Sequence, residues 1–99
     1  MGNLKNELFF HFNTQNWDVA EFSSEKYQLT LKNNYPEINF ILSDDNNVYL
    51  SGKVLQESEK LNFKFDSKSK WLNNLKIDNY KIIELLDHLF LFMRLKVQR

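Results

Sequence analysis

Hydrophobic and polar positions alternate with a period of two through the middle of the chain, and that period predicts strands. Tyr27-Gln28-Leu29-Thr30-Leu31, Ile38-Asn39-Phe40-Ile41-Leu42 and Leu61-Asn62-Phe63-Lys64-Phe65 are three such runs. Val48 to Leu55 is a looser fourth, with Gly52 inside it as the place for a bulge. Turn-forming residues separate the runs: Asn33-Asn34-Tyr35-Pro36, Asp44-Asp45-Asn46-Asn47 and Glu57-Ser58-Glu59. Asn tolerates the left-handed backbone that hairpin turns need, and Asp and Asn side chains can close such turns on their own backbone. Short connections between successive strands predict an antiparallel meander with one apolar face.

The flanking segments have a different period. Leu4, Leu8 and Phe12 recur every fourth residue with Phe9 beside them, which predicts a helix, although Leu8, Phe10 and Phe12 also alternate like a strand. Trp17–Phe22 reads as a short edge strand or an extension of that first element. Asp78 is a good N-cap for a helix over the last twenty residues. At about 100° per residue, Ile82, Ile83, Leu85, Leu86, Leu89, Phe90, Phe92, Met93 and Val97 fill one half of a helical wheel. Met93, Leu95 and Val97 alternate with Arg94, Lys96 and Gln98, as a strand would. No Gly, Pro or Asn interrupts the chain after Asn79, however, so one helix to the C-terminus is the expectation. Ser67–Lys76 reads as a loop or short helical turn.

These elements make one α+β domain over residues 1–99. The expected order is an N-terminal helix, a four- or five-stranded antiparallel β-meander, and a long C-terminal helix packed on one sheet face. On that helix Leu91 and Leu95 fall on the otherwise polar side, one turn apart. With Ile41 and Leu55 on the outer face of the sheet, they are the candidates for an exposed apolar contact, with a partner protein or a second copy in a homodimer.

Composition narrows the chemistry. There is no Cys, which excludes disulfides, a thiol nucleophile and thiolate metal sites, and fits a reducing cytoplasm. Net charge is zero, which argues against coating of bulk nucleic acid. The halves differ in sign: residues 1–50 carry seven acids against three lysines, and the remainder is basic. Asp18, Glu21, Glu25, Asp44 and Asp45 are a candidate acidic docking set. The apolar run Leu8–Phe12 is too short for a signal segment, and charged residues interrupt the C-terminal stripe, so no membrane association is expected. Abundant Asn and Lys beside two Gly and one Pro point to an AT-rich bacterial or phage genome.

Candidate catalytic groups are few. His11 and His88 are the only histidines. Glu84 and His88 share a helical face at i, i+4, and His11 would be the third ligand a catalytic zinc needs. Both histidines are expected at the surface. Asp44-Asp45-Asn46-Asn47 is rich in oxygen but lacks the length, the Gly and the terminal Glu of a calcium loop. No phosphate-binding Gly-rich loop or nucleophile elbow is present. The sequence therefore offers no catalytic residue, cofactor or metal site.

The outward sheet face carries Lys26, Lys32, Lys53, Lys60 and Lys64 with Tyr49 among them, followed by Lys68, Lys70 and Trp71. Basic groups interleaved with aromatic rings bind single-stranded nucleic acid. The leading expectation is a non-enzymatic protein-binding domain, of the inhibitor, immunity-protein or adaptor kind, that occludes a partner's site. A small single-stranded nucleic-acid-binding protein is the alternative.

Overall fold

In the computed structural model, which describes residues 4–14, 16–57, 60–66, 79–90 and 94–98, the period-two runs pair with their neighbours in sequence. The order is α1 (Leu4–Thr14), β1 (Val19–Ser23), β2 (Gln28–Asn34), β3 (Glu37–Ser43), β4 (Val48–Glu57), β5 (Lys60–Phe65), α2 (Asn79–Leu89) and β6 (Arg94–Gln98). The strands form one six-stranded sheet in the order β5-β4-β3-β2-β1-β6, and every pairing is antiparallel.

The register sets apolar side chains opposite one another. Phe22 pairs with Leu29, Leu29 with Leu42, and Leu42 with Leu50. A second row runs from Ala20 through Leu31 and Phe40 to Gly52. All these side chains are buried. Burying one Leu or Phe contributes about 1.5–3 kcal/mol, so two such rows dominate the stability of the sheet.

The long C-terminal helix is not formed. α2 stops at Leu89, and Arg94–Gln98 add a sixth strand beside β1. Val97 faces Ala20 and Leu95 faces Phe22, while Lys96 lies opposite Glu21 on the other face. The reason is tertiary. Without β6, β1 would present an unpaired row of backbone donors and acceptors at the sheet edge. The alternation of Leu95 and Val97 with Arg94, Lys96 and Gln98 fits a half-buried strand as well as a helical stripe. The protein is therefore mainly β, with two short helices among the described residues, rather than α+β with a long terminal helix.

Two other expectations change. The segment after Trp17 is no edge strand, because β1 lies between β2 and β6. The bulge in β4 falls at Tyr49, not Gly52: Leu42 pairs with Leu50 but Ser43 with Val48, which leaves Tyr49 as the extra residue. The segment Ser67–Lys76 lies outside the described residues.

One face of the sheet is covered. Leu8 of α1, Leu86 of α2, and Trp17 and Phe90 beside them join the inward sheet residues in a single core. α1 also contacts α2, and α2 contacts β5. The loop before β1 is tied down by polar contacts. Trp17 Nε1 donates to the His11 carbonyl at 2.8 Å, and Asn33 Nδ2 donates to the Trp17 carbonyl at 3.0 Å.

Candidate functional site

Both helices join the core on one side of the sheet, and among the described residues no element covers the other side. The same register that builds the core composes this open face. One transverse row runs Lys96, Glu21, Thr30, Ile41, Ser51. The adjacent row runs Gln98, Val19, Lys32, Asn39, Lys53, Lys64. Ile41 is 43 % exposed and Val48, near one end of the face, 46 %. They border a shallow groove of about 410 Å³ whose other walls include Asn39, Ser51, Lys53 and Asp66.

Most carboxylates on the open face have partners within the face. Glu37 Oε2 lies 3.1 Å from Lys53 Nζ. Asp66 accepts from Ser51 Oγ at 3.0 Å, and Glu57 accepts from Asn62 Nδ2 at 3.2 Å. Glu21 is in register with Lys96. Among the described residues, Lys32 and Lys64 have no carboxylate within ion-pair distance.

The apolar candidates do not form one patch. Ile41 belongs to the open face, between buried Phe40 and Leu42, and so does Leu55, which follows buried Val54 and is two residues on from exposed Lys53. Leu95 lies on the helix-covered side at the rim of the sheet, opposite Phe22, and is partly exposed there. Leu91 lies outside the described residues. The helical pairing of Leu91 with Leu95 is absent because Leu95 is in a strand.

The acidic candidates are also separated. Glu25, Asp44 and Asp45 occupy the β1–β2 and β3–β4 turns, which share one end of the meander. Asp18 precedes β1 at the other end, where its carbonyl accepts from Asn33 N at 2.9 Å. Glu21 is on the open face between them. The Asp44 carboxylate serves its own turn: Oδ1 accepts from Asn46 N and Asn47 N, both at 2.8 Å, and Oδ2 accepts from the Tyr49 hydroxyl. The Tyr49 hydrogen bond, then that from Asn46, holds the carboxyl below its ordinary value, and the same bond raises the Tyr49 hydroxyl.

Of the basic candidates, the register brings Lys32, Lys53 and Lys64 into one row. Lys60 is in β5 opposite Glu57. Lys26 sits in the β1–β2 turn with Nζ 5.3 Å from the centre of the Tyr27 ring. Tyr49 does not join them: the bulge turns it toward Tyr27, ring centres 5.8 Å apart, against the core. Lys68, Lys70 and Trp71 lie outside the described residues. No described aromatic residue on the strands therefore stands among Lys32, Lys53 and Lys64; the exposed Tyr35 is in the β2–β3 turn at one end of the sheet.

His11 is not a surface residue; it is 2 % exposed. Its ring meets Trp17 and Phe22 edge-on, with centroids 4.9 and 5.7 Å away. Nδ1 is 2.7 Å from the Glu7 carbonyl; a carbonyl only accepts, so Nδ1 carries a hydrogen. Three separated segments supply these partners, and no local pattern reveals such a site. Glu84 and His88 are both exposed on α2. Among the described residues no group of three or more His, Asp or Glu side chains is placed to hold a metal ion. No described helix is long and apolar enough to cross a membrane. Val48 was missed as an open-face residue because alternation counted from Leu50 hides the bulge.

The chain matches no family model, no curated protein and no solved structure.

Proposed function

We propose that this protein is a non-catalytic, cytoplasmic protein-binding domain that receives its partner on the open face of the sheet. The observation that carries this reading is the one-sided packing: both helices lie over one face, and the other presents Ile41 and Val48 beside a groove. Exposed aliphatic side chains beside a groove and ringed by polar ones support a protein contact. The groove is shallow, and the one hydroxyl–carboxylate pair described on its wall, Ser51 and Asp66, is exposed to solvent with no histidine beside it, which favours recognition over catalysis. A flat platform of this kind acts by covering a partner's surface, as an inhibitor or adaptor does. The absence of Cys supports a reducing compartment.

The test is capture by the tagged full-length chain from a lysate of its cell of origin, with and without nuclease. The companion is an Ile41→Ser/Val48→Ser variant of equal thermal stability. A stoichiometric protein that survives nuclease and is lost by the variant supports the reading. Retention of the same protein by the variant places docking elsewhere and overturns it.

A further inference from the structure

The row Lys32, Asn39, Lys53, Lys64 crosses four adjacent strands of the open face. Strands lie about 4.8 Å apart. The row therefore sets the Cα atoms of its three lysines at about 10 Å and then about 5 Å intervals across the sheet. Lys53 and Lys64 are directly opposed. Like charges in that position destabilise an antiparallel pair unless a counter-charge is near. Glu37 offsets Lys53 at 3.1 Å; among the described residues no carboxylate lies within ion-pair distance of Lys32 or Lys64. Meanwhile Glu57 and Asp66 are engaged by Asn62 and Ser51.

We infer that the open face docks an acidic protein surface, with carboxylates of the partner meeting Lys32 and Lys64 and an apolar contact over Ile41. This rests on the docking reading above and names the chemistry of its partner. Charge complementarity selects the sign. Two observations favour a protein over a nucleic acid. On the strands of this face no described aromatic ring is interleaved with the lysines for bases to stack on, and the exposed Tyr35 is a single ring in a turn at one end. Glu21, Glu37 and Asp66 share the face and oppose a continuous phosphate backbone, whereas a folded partner can set its own basic groups against them.

The experiment is zero-length carbodiimide cross-linking of the full-length chain in nuclease-treated lysate, with cross-links mapped by peptide mass spectrometry. The carbodiimide joins an amine to a carboxyl only where the two are in contact. It is run beside a Lys32→Glu/Lys64→Glu variant and the Ile41→Ser/Val48→Ser variant. The expected result is amide links from Lys32 or Lys64 to Asp or Glu of one partner protein. Charge reversal should weaken capture about tenfold or more, and capture should fall as salt rises. Exposed lysines leave the fold intact, which circular dichroism verifies. A partner lost by the Ile41→Ser/Val48→Ser variant but unlinked to the row and indifferent to charge reversal overturns the inference and leaves the docking reading standing. Links only between two copies of this chain, or capture abolished by nuclease, overturn the acidic partner. Absence of any captured protein removes the docking reading and the inference with it.

Discussion

Phe40 and Phe65 meet ring to ring although a whole strand lies between theirs. Their centroids are 5.8 Å apart and the rings nearly perpendicular. The residue between them in register is Gly52, which has no side chain. A Cβ on Gly52 would lie 2.0 Å from the Lys64 carbonyl oxygen, and its φ of +154° suits glycine alone. The obstruction is backbone and cannot swing aside. Gly52→Ala is expected to cost about 3 kcal/mol or more, read as a lower urea midpoint with unchanged slope. A loss below about 1 kcal/mol would mean β5 moves away from β4 at little cost.

His11 fills a pocket walled by Trp17 and Phe22. His11→Ala leaves a void and is expected to destabilise by about 2–4 kcal/mol. The Trp17 fluorescence should shift to the red as water reaches the indole. His11→Phe keeps most of the volume but loses the hydrogen bond to the Glu7 carbonyl, so it should fall between Ala and wild type. Equal stability of all three proteins would show that α1 contributes nothing through this contact.

The bond from Tyr49 to Asp44 has a pH signature at each end. The Asp44 carboxyl is held below its ordinary 3.8 by Tyr49 first and Asn46 second. A depressed carboxyl contributes stability that is full above 3.8 and is lost as pH falls through the lower folded value. Tyr49 is raised above its ordinary 10.0, chiefly by the same bond. Its contribution is full below 10.0 and is lost as pH rises through the higher folded value. Tyr49→Phe should therefore abolish the alkaline loss and shrink the acid one, with Asn46 and Asn47 still holding Asp44 down. Urea midpoints measured across both limbs check this; an alkaline limb unchanged in Tyr49→Phe would assign that loss to another group.

Strands β2 to β5 were legible because each buries one face, so alternation in Leu29/Leu31 or Phe63/Phe65 reports the pleat directly. β6 was not, because Leu95 and Val97 satisfy a helical stripe and a strand equally, and the choice is made by β1, more than seventy residues earlier. Tyr49 was misplaced by one bulge residue, which reverses the side of the sheet. The burial of His11 depends on a loop Trp and a strand Phe brought together only by folding. The lysines of the open face were visible as outward positions. Their alignment into one row was not, because it depends on the turn lengths that set the register.

Ile41 and Leu42 are neighbours in β3 on opposite faces. Ile41 is 43 % exposed and Leu42 is fully buried. The same substitution at the two positions thus reads the one-sidedness of the sheet. Ile41→Ser removes an aliphatic side chain that already meets water and should change stability by no more than about 1 kcal/mol. Leu42→Ser removes contacts from the row that includes Leu29 and Leu50 and places a hydroxyl in the core. Cavity and desolvation act in the same direction, and about 4 kcal/mol or more is expected. In a domain whose whole stability is about 5–15 kcal/mol, the second change brings the protein near unfolding while the first leaves its melting curve in place. Were Ile41→Ser as damaging as Leu42→Ser, something would have to cover the outer face in the folded chain, and the open platform on which docking depends would not exist.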